Sequence, residues 1–165
     1  MHAQPPLSRR RTVGATLAAV VENQYAAGIM NTDTTIALRG HHLGCMLTAF
    51  SKDSGHPTLP LAVAHVRAHP DGDVHVVVGP DDICVPCPDW DGSTCRRGHE
   101  EKNVVKDRAF LELLGMADGE ALPAREVFAR LASRADADFF RRVCPSCHPD
   151  ACAEAAAAAD FSGGF

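Results

Sequence analysis

Aromatic side chains are scarce in this chain of 165 residues, with one Trp, one Tyr and seven Phe. That scarcity leaves no platform on which successive nucleic-acid bases would stack. A cationic surplus is missing as well: 16 Lys and Arg stand against 21 Asp and Glu, for a formal charge of -5. The balance argues against nucleic-acid and membrane-surface binding, since both need dense positive charge. No apolar run approaches the ~20 residues that cross a bilayer. Phosphate loops, dinucleotide fingerprints and nucleophile–base motifs are lacking too, so no particular reaction is indicated and enzyme status stays open.

Cysteine is what the chain has in quantity. Six of its seven cysteines fall into two triplets, Cys84, Cys87 and Cys95, then Cys144, Cys147 and Cys152. Each is a C-x2-C with a third thiol downstream. A C-x2-C turn aims two sulfurs at one point, the geometry used by tetrahedral zinc and by iron–sulfur clusters. Pro86, Pro88 and Pro145 stiffen the loops, and the remaining backbone N–H groups are available to thiolate or sulfide.

Other readings compete. A disulfide framework suits a small secreted protein, but this chain is longer and its cysteine count is odd. A thioredoxin-like motif needs a C-x2-C that opens a helix after a strand, and the proline-rich stretch after Cys84 starts none. Inert buried cysteines would not pair so regularly. Thiols held by metal in a reducing cytosol are the favoured reading, which makes the expected location cytoplasmic.

Residues 1–34 differ from the rest and are expected to form a disordered extension, or to precede a natural start at Met30. Ser8-Arg9-Arg10 before a short apolar run faintly resembles a twin-arginine export signal. A single domain over residues 35–160 is expected. Thr35–Arg39 reads as a strand, His41–Phe50 and Leu59–Ala68 as helices, and Val74–Val78 as the clearest strand. Glu100–Leu114 reads as a helix with Val104, Val105, Ala109, Leu111 and Leu114 inward and Gly115 as its stop. Helices follow over Ala124–Arg134, Asp136–Val143 and Asp150–Asp160, with a frayed tail over Phe161–Phe165. The class is α+β: a small, mostly helical domain with two short strands, whose cysteine loops meet in a metal or cluster site.

Within this frame His41 and His42 share a helix with Cys45, and each is either a ligand or a hydrogen-bonding core histidine. His65 and His69, four apart, read as solvated. Asp81 and Asp82 read as caps for backbone N–H groups of the first loop. The Asp91-Gly92 turn folds Cys95 back towards Cys84 and Cys87, and Trp90 is either a shield or core. Arg125, Arg130, Arg134, Arg141 and Arg142 read as solvated faces. Cys152 enters the first turn of the last helix, where the helix N-terminus favours thiolate.

Two partitions of the thiols are open. In one, Cys84, Cys87 and Cys95 take Cys45 or a histidine, and Cys144, Cys147 and Cys152 take His148 or an outside ligand. In the other, Cys84, Cys87, Cys144 and Cys147 enclose one centre. Four thiolates suit [2Fe-2S], [4Fe-4S] or zinc equally by count.

Three separated motifs then point to a family. Arg39-Gly40-His41-His42-Leu43-Gly44-Cys45, Gly79-Pro80-Asp81-Asp82-Ile83-Cys84 continuing to Cys87-Pro88, and Cys144–Cys152 occur in this order. Over about residues 35–158 the chain resembles the bacterial and archaeal DUF1284 family, described as candidate iron–sulfur-binding proteins. The resemblance implies iron–sulfur more than zinc and gives no substrate. His148 and Pro149 stand where that family is expected to carry an aromatic, leaving His148 as an extra ligand or shield. Three functions follow as expectations: an iron–sulfur protein in electron transfer with a redox partner, a structural zinc module acting as an adaptor for a protein partner, or an enzyme with an open cluster site and His41, His42 or Asp82 as acid or base.

Overall fold

The computed structural model describes residues 34–50 and 55–161. The expectations for residues 1–33 therefore lie outside the described residues. β1 (Ile36–Arg39) leads straight into α1 (Gly40–Ala49), and α2 (Leu59–Ala68) follows. β2 (Asp73–Val77) then runs parallel to β1, pairing Ile36 with Val74 and Leu38 with Val76. The first cysteine loop follows, and then α3 (Glu100–Leu114). β3 (Ala121–Pro123), α4 (Ala124–Arg134), α5 (Ala137–Val143) and α6 (Pro149–Ala158) complete the described chain. Among the described residues, six helices and a three-stranded mixed sheet make this an α+β domain.

Alternation of buried and less buried residues in β2, with Val74 and Val76 fully buried, places one face of the sheet on the helices. The core joins Leu38, Val74 and Val76 to Leu43, Met46, Phe110, Leu114, Phe128 and Phe140. Gly40 and Gly44 let α1 approach α3 closely. A Cβ on Gly40 would lie 2.6 Å from the Asp107 carbonyl oxygen, and one on Gly44 would lie 2.5 Å from Cζ of Phe110. Gly115 stops α3 in the left-handed conformation, with φ of 67°.

The structure corrects four expectations. β3 adds a third strand, antiparallel to β2, where Leu122-Pro123 had only a helix start to offer. Three residues are too short for a periodic signal, and Pro123 is tolerated because the strand lies at the sheet edge. On α3 the buried face is Asn103, Asp107, Phe110, Leu111 and Leu114, while Val105 is 68% exposed. Leu111 and Leu114 face inward as expected, and polar partners turn Asn103 and Asp107 inward beside them. His65 is buried rather than solvated, because α2 packs apolar residues around most of its circumference. Phe161 is not part of a frayed tail: it is buried, with its ring against Phe50 and Phe128.

Candidate metal centre

Arg39, the last residue of β1, is 1% exposed although always charged. Its Nε and Nη2 both donate to Asp107 Oδ2, at 3.0 and 2.8 Å, and Nη2 also reaches Glu100 at 2.8 Å. Both acids come from α3, Glu100 as its first residue and Asp107 about two turns further on. Burial works against the Arg39 charge, but these bonds outweigh it and hold the guanidinium above its ordinary range. Asp107 also accepts from the Gly79 N–H at 3.1 Å and from both the backbone and the ring Nδ1 of His41. Burial alone would raise this carboxyl; the His41 and Arg39 contacts prevail and keep it at about 2.

Asp81 plays the matching part for His42. Its Oδ2 accepts from His42 Nδ1 at 2.7 Å and from the Arg39 N–H at 2.8 Å, and its Oδ1 accepts from the Cys84 N–H at 3.1 Å. Asp81 thus caps the first cysteine loop, as expected from its position. Asp82 instead reaches back to β1 and accepts from the Ala37 N–H. Despite burial, the charge and hydrogen bond of His42 hold the Asp81 carboxyl below its usual range.

Two histidines are therefore each oriented by a buried carboxylate through Nδ1. In the neutral ring that contact leaves the lone pair on Nε2, the arrangement by which carboxylates aim metal-binding imidazoles. Burial keeps His41 neutral down to about pH 4. The two rings lie 4.5 Å apart. His42, Asp81 and Cys84, all buried, bring ligand atoms within 4.8 Å of one another. Burial, followed by the nearby Asp81 charge, pushes the Cys84 thiol up to about 12, so a cation would have to displace its proton.

The rest of the first loop folds as a series of turns. Cys87 donates its N–H to the Cys84 carbonyl at 2.9 Å, and Trp90 donates to Cys87 at 3.0 Å. Trp90 and Cys95 form an antiparallel bridge, so the Asp91-Gly92 turn does fold Cys95 back. Trp90 is half-buried. His56, which the sequence did not single out, sets its ring 5.3 Å from that of His42. Its Nδ1 accepts from the Thr58 and Leu59 N–H groups at the start of α2, so Nε2 carries the proton and His56 is a wall rather than a ligand.

Around the second loop the neighbours are thiols. Cys144 at the end of α5 and Cys147 share a side-chain hydrogen bond, which drives Cys147 down to about 6 and, with burial, Cys144 well above its usual range. Cys45 on α1 feels the charges of Cys147 and Cys152, and burial foremost pushes it up to about 12. Burial and then Cys147 raise Cys152, in the first turn of α6. Lys106 of α3 favours the thiolate of all three, opposing the rise of Cys45 and Cys144 and adding to the fall of Cys147.

The structure thus brings Cys45 to the second triplet, not the first, and gives Cys84 the company of Asp81 and His42 rather than of Cys144. The reason is packing: α1 lies against α6 as well as α3, and carries Cys45 with it. Arg39, Glu100 and Asp107 were missed as parts of the site. Acids at the start and middle of a helix give no sign that they face inward; the one available signal was Arg39 directly before Gly40-His41-His42. The flanking arginines are on the surface as expected, pairing with Asp71, Glu126, Asp138 and Asp150, while Arg134 caps the end of α3 through the Leu113 and Leu114 carbonyls.

Fold and site together define a small cysteine-rich α+β protein whose side chains are compatible with metal binding. The model of DUF1284, described as a protein of unknown function, matches residues 60–152. The chain belongs to that family. The match contains both cysteine loops and begins after the Arg39–Cys45 motif. No curated protein and no solved structure matches the chain. No helix among the described residues is long and apolar enough to cross a membrane.

Proposed function

We propose that the protein is an iron–sulfur protein whose cluster is held by Cys45, Cys144, Cys147 and Cys152, and that it passes electrons to a protein partner in the reducing cytosol. The observation that carries this reading is the gathering of four thiols from α1, the α5–α6 loop and α6 beside a single lysine. Four thiolates in a low-dielectric setting repel one another unless metal shares their charge, and Lys106 offsets part of the excess. Four thiolates serve an iron–sulfur cluster or zinc by count, and the family resemblance favours the cluster. Cys147 is exposed, which gives the cluster one edge at the surface for electron exchange.

Anaerobic purification with an absorption spectrum and iron, sulfide and zinc analysis tests this. The expected protein is brown, with near-equal iron and acid-labile sulfide, and Cys144→Ser with Cys147→Ser removes both. Absence of iron and sulfide after anaerobic reconstitution with both would sink the proposal.

A further inference from the structure

We propose that the first cysteine loop forms a second, separate centre: a zinc site built by Cys84, Cys87, Cys95 and His42. The argument starts from Asp81. Both its oxygens are taken, Oδ2 by the Arg39 N–H and His42 Nδ1, and Oδ1 by the Cys84 N–H. Asp81 is thus a positioning residue and not a ligand. It holds the His42 imidazole through Nδ1 and the Cys84 backbone through its N–H, three residues after it at the start of the C-x2-C turn.

Tetrahedral zinc with bonds of about 2.1 Å to nitrogen and 2.3 Å to sulfur separates these ligand atoms by about 3.6 Å. The His42 ring and the Cys84 sulfur belong to one group whose ligand atoms lie within 4.8 Å of one another, wider than that spacing, so metal binding would draw the pair together. The same loop carries two further thiols, Cys87 and Cys95, on a folded-back backbone, and metal binding would draw their sulfurs onto His42 and Cys84. Cys87 turns back on Cys84 through its N–H, and Trp90 ties Cys87 to the strand partner Cys95. Three thiolates and one imidazole are a closed structural zinc set. Binding releases the thiol protons to solvent, so affinity rises with pH. Among the described residues this donor set shares no side chain with the four-thiol gathering, although α1 supplies both, His42 to one and Cys45 to the other.

The test uses the full-length chain carrying Cys144→Ser and Cys147→Ser, so that cluster formation has no part in the result. This protein should take up one equivalent of cobalt(II), with thiolate-to-cobalt charge-transfer absorption, and zinc should displace it. Adding His42→Ala or Cys84→Ser should abolish the absorption, and Asp81→Asn should weaken cobalt binding about 10- to 100-fold. Cobalt absorption that survives both ligand changes, or that never develops, overturns the proposal. Should a variant fail to fold, alkylation of the wild-type chain decides: zinc chelation must increase labelling of Cys84 and Cys87, and unchanged labelling overturns the site. Iron and sulfide analysis of the unsubstituted protein stands apart, so the cluster and the zinc site fail or succeed separately.

Discussion

Around Cys84 the protein supplies ionised partners, with Asp81, Arg39, Asp107 and Glu100 linked through buried hydrogen bonds. Around Cys144 it supplies thiols, one lysine and the rings of Phe139 and Phe140 nearby on α5. The first loop is thus braced by the polypeptide itself, because each buried charge already has its counter-charge. The second has short helices and thiols that repel when ionised, so its order depends more on what the thiols hold. His42 and Cys45 stand one helical turn apart on α1, so the proposed braced site and the proposed metal-dependent one share a helix.

Metal removal should expose that difference most strongly. A metal that completes a structural site adds its binding energy to folding, on the order of 10 kcal/mol for zinc in small domains. After chelation under anaerobic conditions, amide exchange should rise sharply in α5 and α6 while β1 and β2 stay protected. Equal loss of protection in both regions would break the distinction.

The converse perturbation is Asp107→Ala, which leaves the Arg39 charge buried with only Glu100. Breaking a buried pair in this way costs about 3–5 kcal/mol, readable as a lower urea midpoint. A loss within 1 kcal/mol would mean that the ionic network does not brace the first loop. Gly40→Ala attacks the same region by volume: its Cβ would meet the Asp107 backbone at 2.6 Å, which cannot move as a side chain can. Overpacking of about 1–3 kcal/mol is expected, again by urea midpoint.

Acid offers a graded version. Asp107 sits at about 2 in the fold against 3.8 in the unfolded chain. A depressed carboxyl contributes stability that is full above its unfolded value and disappears as pH falls through the folded one. About 2 kcal/mol should therefore be lost between pH 4 and 2. Thermal melts should show this slope in the native chain and its absence in Asp107→Ala. The smallest effect belongs to the second region's scaffold. Asp136 caps α5, its side chain accepting from the Phe139 N–H at 2.7 Å. Asp136→Ala should cost about 1 kcal/mol and, if α5 positions Cys144, lower iron retention alongside the thermal midpoint.

Much of this organisation is local and therefore readable in residue order. The C-x2-C turns, the Asp91-Gly92 reversal, the helix stop at Gly115 and the α+β class all follow from spacing, turn chemistry and periodicity within a few residues. So does the capping role of Asp81, three residues ahead of the Cys84 N–H that it accepts. What tertiary structure alone decided is long-range. Cys45 lies 39 residues before Cys84 and 99 before Cys144, and nothing local says which it joins; packing of α1 against α6 does. The inward turn of Asp107 came from Arg39, 68 residues away, because a buried guanidinium must find its counter-charge wherever the fold places one. Spacing along the chain sets which side chains form a turn, but only packing sets which turns meet.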